Sequence, residues 1–150
     1  MTSIVPTADL LGAYVTTRAS GLAGNQLLWH FDPTLNKWTQ LAGVTMPLAS
    51  DSDAIIEVDR FNNLYIAGGK ILRRYSMGPG GKTPVELASL NLGARIGDIV
   101  MGDGSVRLGV GSTKIWALQP EAGKLAEIES DLSSMSNRTL PITVAADASI

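Results

Sequence analysis

The sequence predicts an all-β protein built from about three repeated units of four antiparallel strands. An aromatic-bearing segment recurs at regular spacing, with 44 residues from Trp29 to Arg73 and 43 from Arg73 to Trp116 at matching positions. Short apolar runs alternate with turns rich in glycine, asparagine and aspartate, as in strands joined by tight hairpins. No segment sustains the 3.6-residue apolar spacing of an amphipathic helix. A repeat of about 43 residues is typical of one four-stranded unit in an array.

The composition restricts the classes of partner. The 150 residues suit one domain, and the net charge of −2 predicts no nucleic-acid partner. No run of apolar residues is long enough to span a membrane, and the N-terminal residues do not match a signal peptide. We therefore expect no membrane partner and a cytoplasmic or virion location. The absence of cysteine excludes disulfides and thiolate metal sites.

Each unit is described by strands A to D in chain order. Strand A is predicted at 54–58 and 98–101, B at 64–67 and 106–110, C at 27–31, 71–75 and 114–118, and D at 38–41, 85–87 and 125–128. The units span about 10–45, 51–90 and 96–130 within a single domain, 1–150. An extra strand is predicted at about 140–150.

The ends of the repeat are predicted to be incomplete. The first unit begins with strand B near 12–15 and lacks a strand A, unless Ile4 and Val5 form a degenerate one. The segment 141–150 matches the start of a further unit. We therefore expect the extra C-terminal strand of one chain to complete the first unit of another chain by strand addition.

Short motifs in the repeats resemble those of β-propeller proteins. Phe31–Pro33 with Trp38 resembles kelch repeats, Lys114–Pro120 resembles quinoprotein-type blades, and the turn Asp59–Leu64 is similar to that of NHL-type blades. The resemblance covers most of the chain and implies that each unit is one blade of a ring. The tryptophan-rich docking signature of quinoproteins is missing, so no cofactor is expected.

Three blades predict that the chain assembles with other molecules. Propellers close with four or more blades, and an open wedge of three would expose apolar blade faces to water. Two chains would supply six blades, and two-fold dimers are the commonest closed assembly. We therefore expect a homo-oligomer, with a dimer favoured, or docking on other subunits of a larger particle.

Aromatic residues on strand C are the main candidates for ligand binding. Trp29, Tyr75 and Trp116 occupy this strand in the three units, and Arg73 lies on the same strand as Tyr75. In propeller lectins, aromatic residues on comparable strands stack on sugar rings between blades. The interpretation that we favour over sugar stacking is that these side chains fill the core between diverging blades.

Other chemistry-bearing residues predict no catalytic or metal site. His30 is the only histidine and lies on a predicted strand, and a single histidine without cysteine does not predict a metal site. The segment Gly78–Thr83 ends like a phosphate-binding loop, but no helix is predicted after it, so a hairpin is expected. Asp53, Asp98 and Asp103 could serve a hydrolase; Asp53 and Asp98 precede equivalent A strands.

The sequence as a whole predicts a non-enzymatic propeller subunit. It would act in self-assembly or as a structural component of a larger particle, such as a phage virion. The first alternative is an oligomeric lectin that binds glycans between blades through Trp29, Trp116, Tyr75 and Arg73. The second is a hydrolase that depends on carboxylates.

Overall fold

A computed structural model describes residues 3–18, 26–47, 53–101, 106–110, 114–119 and 124–129, the last two ranges as backbone. These residues form three four-stranded antiparallel sheets. The chain divides into two compact units, Met1–Asn91 with two of the sheets and Leu92–Ile150 with the third. None of the described helices is long and apolar enough to cross a membrane.

Sheet 1 contains a complete set of strands A to D. Its strands are β1 (Ser3–Pro6), β2 (Ala13–Arg18), β3 (Gln26–Asp32) and β4 (Lys37–Gln40). Each strand pairs with the next along the chain. The expectation that the first unit lacks strand A is wrong, because β1 pairs with β2 from Ser3 opposite Thr16 to Pro6 opposite Ala13. Ile4 and Val5 belong to this strand, which the sequence alone left undecided.

Sheet 2 repeats the same order of strands. Its strands are β5 (Ile55–Val58), β6 (Asn63–Gly68), β7 (Ile71–Ser76) and β8 (Val85–Asn91). The Asp59 carboxylate organises the β5–β6 turn by accepting hydrogen bonds from the backbone N–H groups of Phe61 and Asn63. Asn62 takes a positive φ of 61°, which asparagine tolerates better than most residues.

Sheet 3 lies in the second compact unit. Its strands are β9 (Ile96–Met101), β10 (Val106–Val110), β11 (Lys114–Gln119) and β12 (Lys124–Glu129), again paired in sequence order. A register shift between Gly109 and Val110 interrupts the pairing of β10 with β9. The predicted extra strand at 140–150 lies outside the described residues.

The structure confirms the all-β fold class, and the predicted strands within the described residues lie on observed ones. The differences are at the boundaries, where most observed strands extend one or two residues further. The largest is β8, predicted as 85–87 and observed as Val85–Asn91. The additional residues Ala88–Asn91 pair with Ile71–Arg74 of β7, beyond a register shift between Arg74 and Tyr75.

Sheets 1 and 2 share one apolar core. Sheet 1 and the residue after it contribute Val5, Tyr14, Leu28 and Leu41. Sheet 2 and its flanking residues contribute Ala54, Ile56, Leu64, Ile66, Tyr75 and Met77. The first strands of the two sheets, β1 and β5, are neighbours. The two sheets therefore pack face to face, with their A strands side by side.

The connection from sheet 1 to sheet 2 fills part of the space between them. Leu41 donates a backbone hydrogen bond to the carbonyl of Leu28 at 2.9 Å. Thr45 then donates its N–H to the Tyr75 hydroxyl at 3.0 Å. Pro47 lies directly over Gly68, where a Cβ would overlap the proline ring. This segment therefore covers part of the face of sheet 2.

Candidate functional site

A polar pocket lies between sheets 1 and 2, at the end where their A–B and C–D connections meet. Its volume is about 190 Å³. Up-and-down connectivity places these connections at the same end of each sheet, so loops distant in sequence come together. The lining residues are Thr7, Asp9, Leu11, Gly12, His30, Asp32, Thr34, Asn62, Gly80 and Gly81. Both sheets therefore contribute to one concave polar site.

His30 is a deeply buried titratable side chain of this pocket. It lies on β3, is only 5% exposed, and its ring packs against Tyr14 with the centroids 5.3 Å apart. Its Nδ1 atom is buried and has no hydrogen-bond partner. Most buried polar atoms in folded proteins are hydrogen-bonded. The imidazole therefore has hydrogen-bonding capacity that the protein itself does not use.

Two glycines leave the Nε2 side of the His30 ring uncovered. A Cβ at Gly12 would lie 3.2 Å from Nε2, and a Cβ at Gly81 would lie at the same distance. Gly12 belongs to the A–B loop of sheet 1, whereas Gly81 belongs to the β7–β8 loop. Gly81 also has a positive φ of 68°, which other residues rarely adopt. The two loops therefore approach the imidazole closely without covering it.

Two carboxylates stand at the sides of the pocket. Asp9 accepts hydrogen bonds at Oδ1 from the Thr7 hydroxyl at 2.6 Å and the Leu11 N–H at 3.0 Å. These bonds hold the pKa of Asp9 below its usual value. Asp32 accepts a hydrogen bond at Oδ2 from Lys82 Nζ at 2.8 Å, and this bond is the main cause of its lowered pKa. Both groups are therefore ionised at neutral pH.

A chain of hydrogen bonds joins the two sheets beneath the pocket. Asn62 donates from Nδ2 to the Tyr14 hydroxyl at 3.3 Å, and that hydroxyl donates to the carbonyl of Gly81 at 3.2 Å. Asn62 Oδ1 accepts from the N–H of Ala8 at 3.4 Å. Burial raises the pKa of Tyr14 to about 12, so it remains a neutral donor. These bonds fix the relative position of the loops that form the pocket.

The electrostatics of the pocket are close to balanced. Burial lowers the pKa of His30 below its usual value, and the nearby Lys82 charge acts in the same direction. His30 is therefore neutral at pH 7, while Lys82 balances Asp32 and leaves one uncompensated carboxylate, Asp9. The pocket offers both donors and acceptors. The described residues contain no cluster of three or more His, Asp or Glu side chains suited to a metal ion.

The strand C residues expected to bind glycans do not form a shared site among the described residues. Tyr75 is 1% exposed and belongs to the core, in agreement with the core-filling interpretation, so its ring offers no stacking face. Its hydroxyl donates to Glu86 Oε2 at 2.7 Å, and the same carboxylate pairs with Arg73 Nη1 at 3.2 Å. Trp29 is half-buried and donates from Nε1 to the Thr17 hydroxyl at 3.0 Å. Trp116 lies on β11, and its side chain is outside the described part.

A second cavity, of about 310 Å³, contains Arg73. Its walls come from the sheet-connecting segment at Thr45–Pro47 and from β6 and β7. Apart from Arg73 the walls are largely apolar. Because Glu86 already pairs with the Arg73 guanidinium, this cavity presents no uncompensated charge.

The carboxylates weighed for a hydrolase belong to different compact units, Asp53 to the first and Asp98 to the second. Asp53 precedes β5 and forms an exposed ion pair with Arg18. Asp98 lies inside β9, two residues after its start, so its expected equivalence to Asp53 is wrong. The apolar run at Ile99–Met101 predicted a start near 98, whereas β9 begins at Ile96. Asp103 falls outside the described residues.

Sequence reasoning missed the residues that form the polar pocket. The segment Gly78–Thr83 connects β7 to β8 through a short 3-10 turn at Pro79–Gly81, which confirms the predicted connection between two strands. Lys82, near its end, reaches Asp32 in the other sheet. The glycine-rich loop at Gly78–Thr83 could have indicated one side of the pocket, but residue spacing does not predict which loop of sheet 1 lies opposite it.

A scan of protein-family models and a comparison with curated proteins found no match.

Proposed function

We propose that this chain is a non-enzymatic subunit of a β-propeller that closes its ring by assembling with other molecules. Three successive sheets share one strand order, and the first two pack face to face with their A strands adjacent. In the proposed propeller each of these sheets is one blade. The main support for the proposal is that the face of sheet 1 pointing away from sheet 2 is apolar and aromatic.

The two faces of sheet 1 follow from strand alternation. Val5, Tyr14 and Leu28 point towards sheet 2 and belong to the shared core. Their neighbours along the chain point the opposite way, because successive side chains alternate across a strand. We call these residues the outer face of sheet 1: Ile4, Val15, Trp29, Phe31 and Trp38. Cross-strand pairing aligns Ile4 with Val15, Val15 with Trp29, and Phe31 with Trp38.

The outer face of sheet 1 corresponds to a face that is covered in sheet 2. The same register positions in sheet 2 hold Ile56, Ile66, Arg73, Tyr75 and Glu86. Ile56, Ile66 and Tyr75 are core residues packed against sheet 1. In sheet 1, Ile4 is 58% exposed and Trp38 is 49% exposed, whereas Val15 on the same face is buried. The repeat therefore supports a preceding blade at the outer face, supplied by another molecule.

A second copy of this chain is the partner that we propose. A sheet of the second copy would pack on the outer face of sheet 1 as sheet 1 packs on the equivalent face of sheet 2. Because β1 already fills the position of strand A, closure needs face-to-face packing and no strand exchange through sheet 1. A dimer would provide six blades, within the range of known propellers. Aromatic side chains such as Trp38 gain most from such burial.

The mass in solution tests this proposal. The wild-type chain, of 15.8 kDa, is expected to sediment as a dimer or larger oligomer at micromolar concentration. Trp38→Glu should shift the population towards monomer, because it places a charge on the outer face. Phe61→Glu is the matched control, since Phe61 is an exposed aromatic residue in the β5–β6 turn and not on this face. A monomeric wild type, or equal effects of both variants, would contradict the proposal.

The alternatives receive less support from the described residues. A lectin that stacks sugars on strand C would use Tyr75, which is buried. A hydrolase would need paired carboxylates, whereas Asp53 is held by Arg18 at the end of the sheets opposite the polar pocket. The pocket at His30 uses none of the strand C residues weighed for a lectin.

A further inference from the structure

We propose that the pocket between sheets 1 and 2 binds a neutral, polyhydroxylated molecule the size of one sugar ring. The site lies within a single chain, between the loops at Thr7–Gly12 and Gly78–Lys82, and does not depend on ring closure. It also differs from the strand C aromatics weighed for a lectin. Its cavity of about 190 Å³ is smaller than pockets for drug-sized ligands, which favours a single ring.

His30 carries vacant hydrogen-bonding capacity into this pocket. Its side chain is more than nine-tenths buried, at 5% exposure, and its Nδ1 atom has no partner. Gly12 and Gly81 leave the Nε2 edge uncovered. A neutral imidazole carries one donor and one acceptor, so Nε2 can bond to a ligand hydroxyl at this uncovered edge.

The sides of the pocket supply an acceptor and a donor. Asp9 uses Oδ1 for the Thr7 hydroxyl and the Leu11 N–H, so Oδ2 can accept from a ligand hydroxyl. Lys82 is not itself a lining residue, but its Nζ bonds to the lining residue Asp32 at 2.8 Å and has two further donor positions. Each hydroxyl group of a polyol can both donate and accept a hydrogen bond. An acceptor, a donor and an imidazole around one cavity therefore suit a polyol.

The charge distribution of the pocket disfavours other ligand classes. An anion would meet the uncompensated carboxylate of Asp9, and a cation would compete with Lys82 for Asp32. His30 is kept neutral by burial, so it adds no charge to the balance. The apolar side chain of Leu11 also lines the pocket and can contact the C–H face of a ring. A neutral polar ligand fits this environment best.

The single histidine of the chain provides a direct readout. The ring resonances of His30 can be followed by NMR while glucose, galactose, mannose, fucose and inositol are added separately at millimolar concentrations. Glucosamine and glucuronate serve as the cationic and anionic counterparts. We expect a saturable shift with at least one neutral compound and weaker binding of its charged counterparts. The absence of any shift, or a preference for a charged compound, would overturn the proposal.

Two variants test whether the shift comes from this pocket. Asp9→Asn keeps an oxygen for Thr7 and Leu11 but replaces the free acceptor, and Lys82→Gln removes the charged donor. Each should weaken binding about tenfold, or about 1.4 kcal/mol. Asp53→Asn is the matched control, because it neutralises an exposed carboxylate outside the pocket. The native His30 resonance reports that each variant is folded. Unchanged binding in both folded variants would also overturn the proposal.

Discussion

The side chain of Gln26 accepts a hydrogen bond from the N–H of Ala54, with its Oε1 at 2.8 Å. Its Nε2 donates to the carbonyl of Pro47 at 3.1 Å. One buried amide on sheet 1 therefore binds both ends of the segment that leads into sheet 2. This contact couples the position of the first strand of sheet 2 to strand β3.

Replacing Gln26 should therefore destabilise the packing of the two sheets. Gln26→Met keeps the length of the side chain and removes both hydrogen bonds, leaving the Ala54 N–H and Pro47 carbonyl unpaired. We expect a loss of about 2 kcal/mol in the free energy of unfolding, measured with urea. Lys70→Met, at an exposed position of the β6–β7 turn, is the control and should change the free energy by less than about 0.5 kcal/mol. Equal effects would argue against a structural role for Gln26.

Gly68 is expected to tolerate no side chain because Pro47 covers it. Gly68→Ala should lower the unfolding free energy by about 1–3 kcal/mol through overpacking. A double-mutant cycle with Pro47→Gly measures the coupling between the two positions. The alanine should cost less when the proline ring is absent. Strict additivity of the two changes would contradict this contact.

Asp59 is expected to be essential for the β5–β6 turn. It accepts hydrogen bonds from two backbone N–H groups at Oδ1, and from the Asn63 amide and the Tyr65 hydroxyl at Oδ2. Asp59→Asn retains the first pair and loses the second, so thermal unfolding should show a loss of about 1–3 kcal/mol. Asp53→Asn at an exposed ion pair should cost at most about 1 kcal/mol. A neutral Asp59→Asn variant would be inconsistent with this role in the turn.

Mild acidification is expected to destabilise the chain through His30. The pKa of His30 is lowered in the folded chain, first by burial and then by the charge of Lys82, so the unfolded chain binds the proton more tightly. This contribution to stability is complete above about pH 6.5 and is lost as the pH falls from there towards the folded pKa. His30→Gln should remove that dependence. Denaturation at several pH values checks this, and an unchanged pH profile in the variant would count against it.

The strands were predictable from sequence because their apolar residues and turn residues are local signals. β10 was placed at its observed bounds, and β6 and β7 within two residues. β1 was left undecided because Ser3–Pro6 has only two strongly apolar residues, and pairing with β2 decides its conformation. Tertiary pairing overrides weak local preference in such cases.

The polar pocket was less accessible to sequence reasoning. His30 was correctly placed on a strand, but Asp9, Asn62 and Lys82 lie in three loops far apart in the chain. Their meeting depends on how sheet 1 packs on sheet 2. The aromatic repeat predicted blade architecture and could not show that Tyr75 is buried while the matching Phe31 lies on the outer face. Tyr75 is buried because sheet 1 packs on that face of sheet 2.

A crystal structure of the oligomer isolated from solution tests the central claim most directly, because it counts the blades in the assembled particle. We predict closed rings whose number of blades is a multiple of three, with six for a dimer. A particle containing one isolated chain, or an assembly in which the outer face of sheet 1 faces solvent, would contradict the claim.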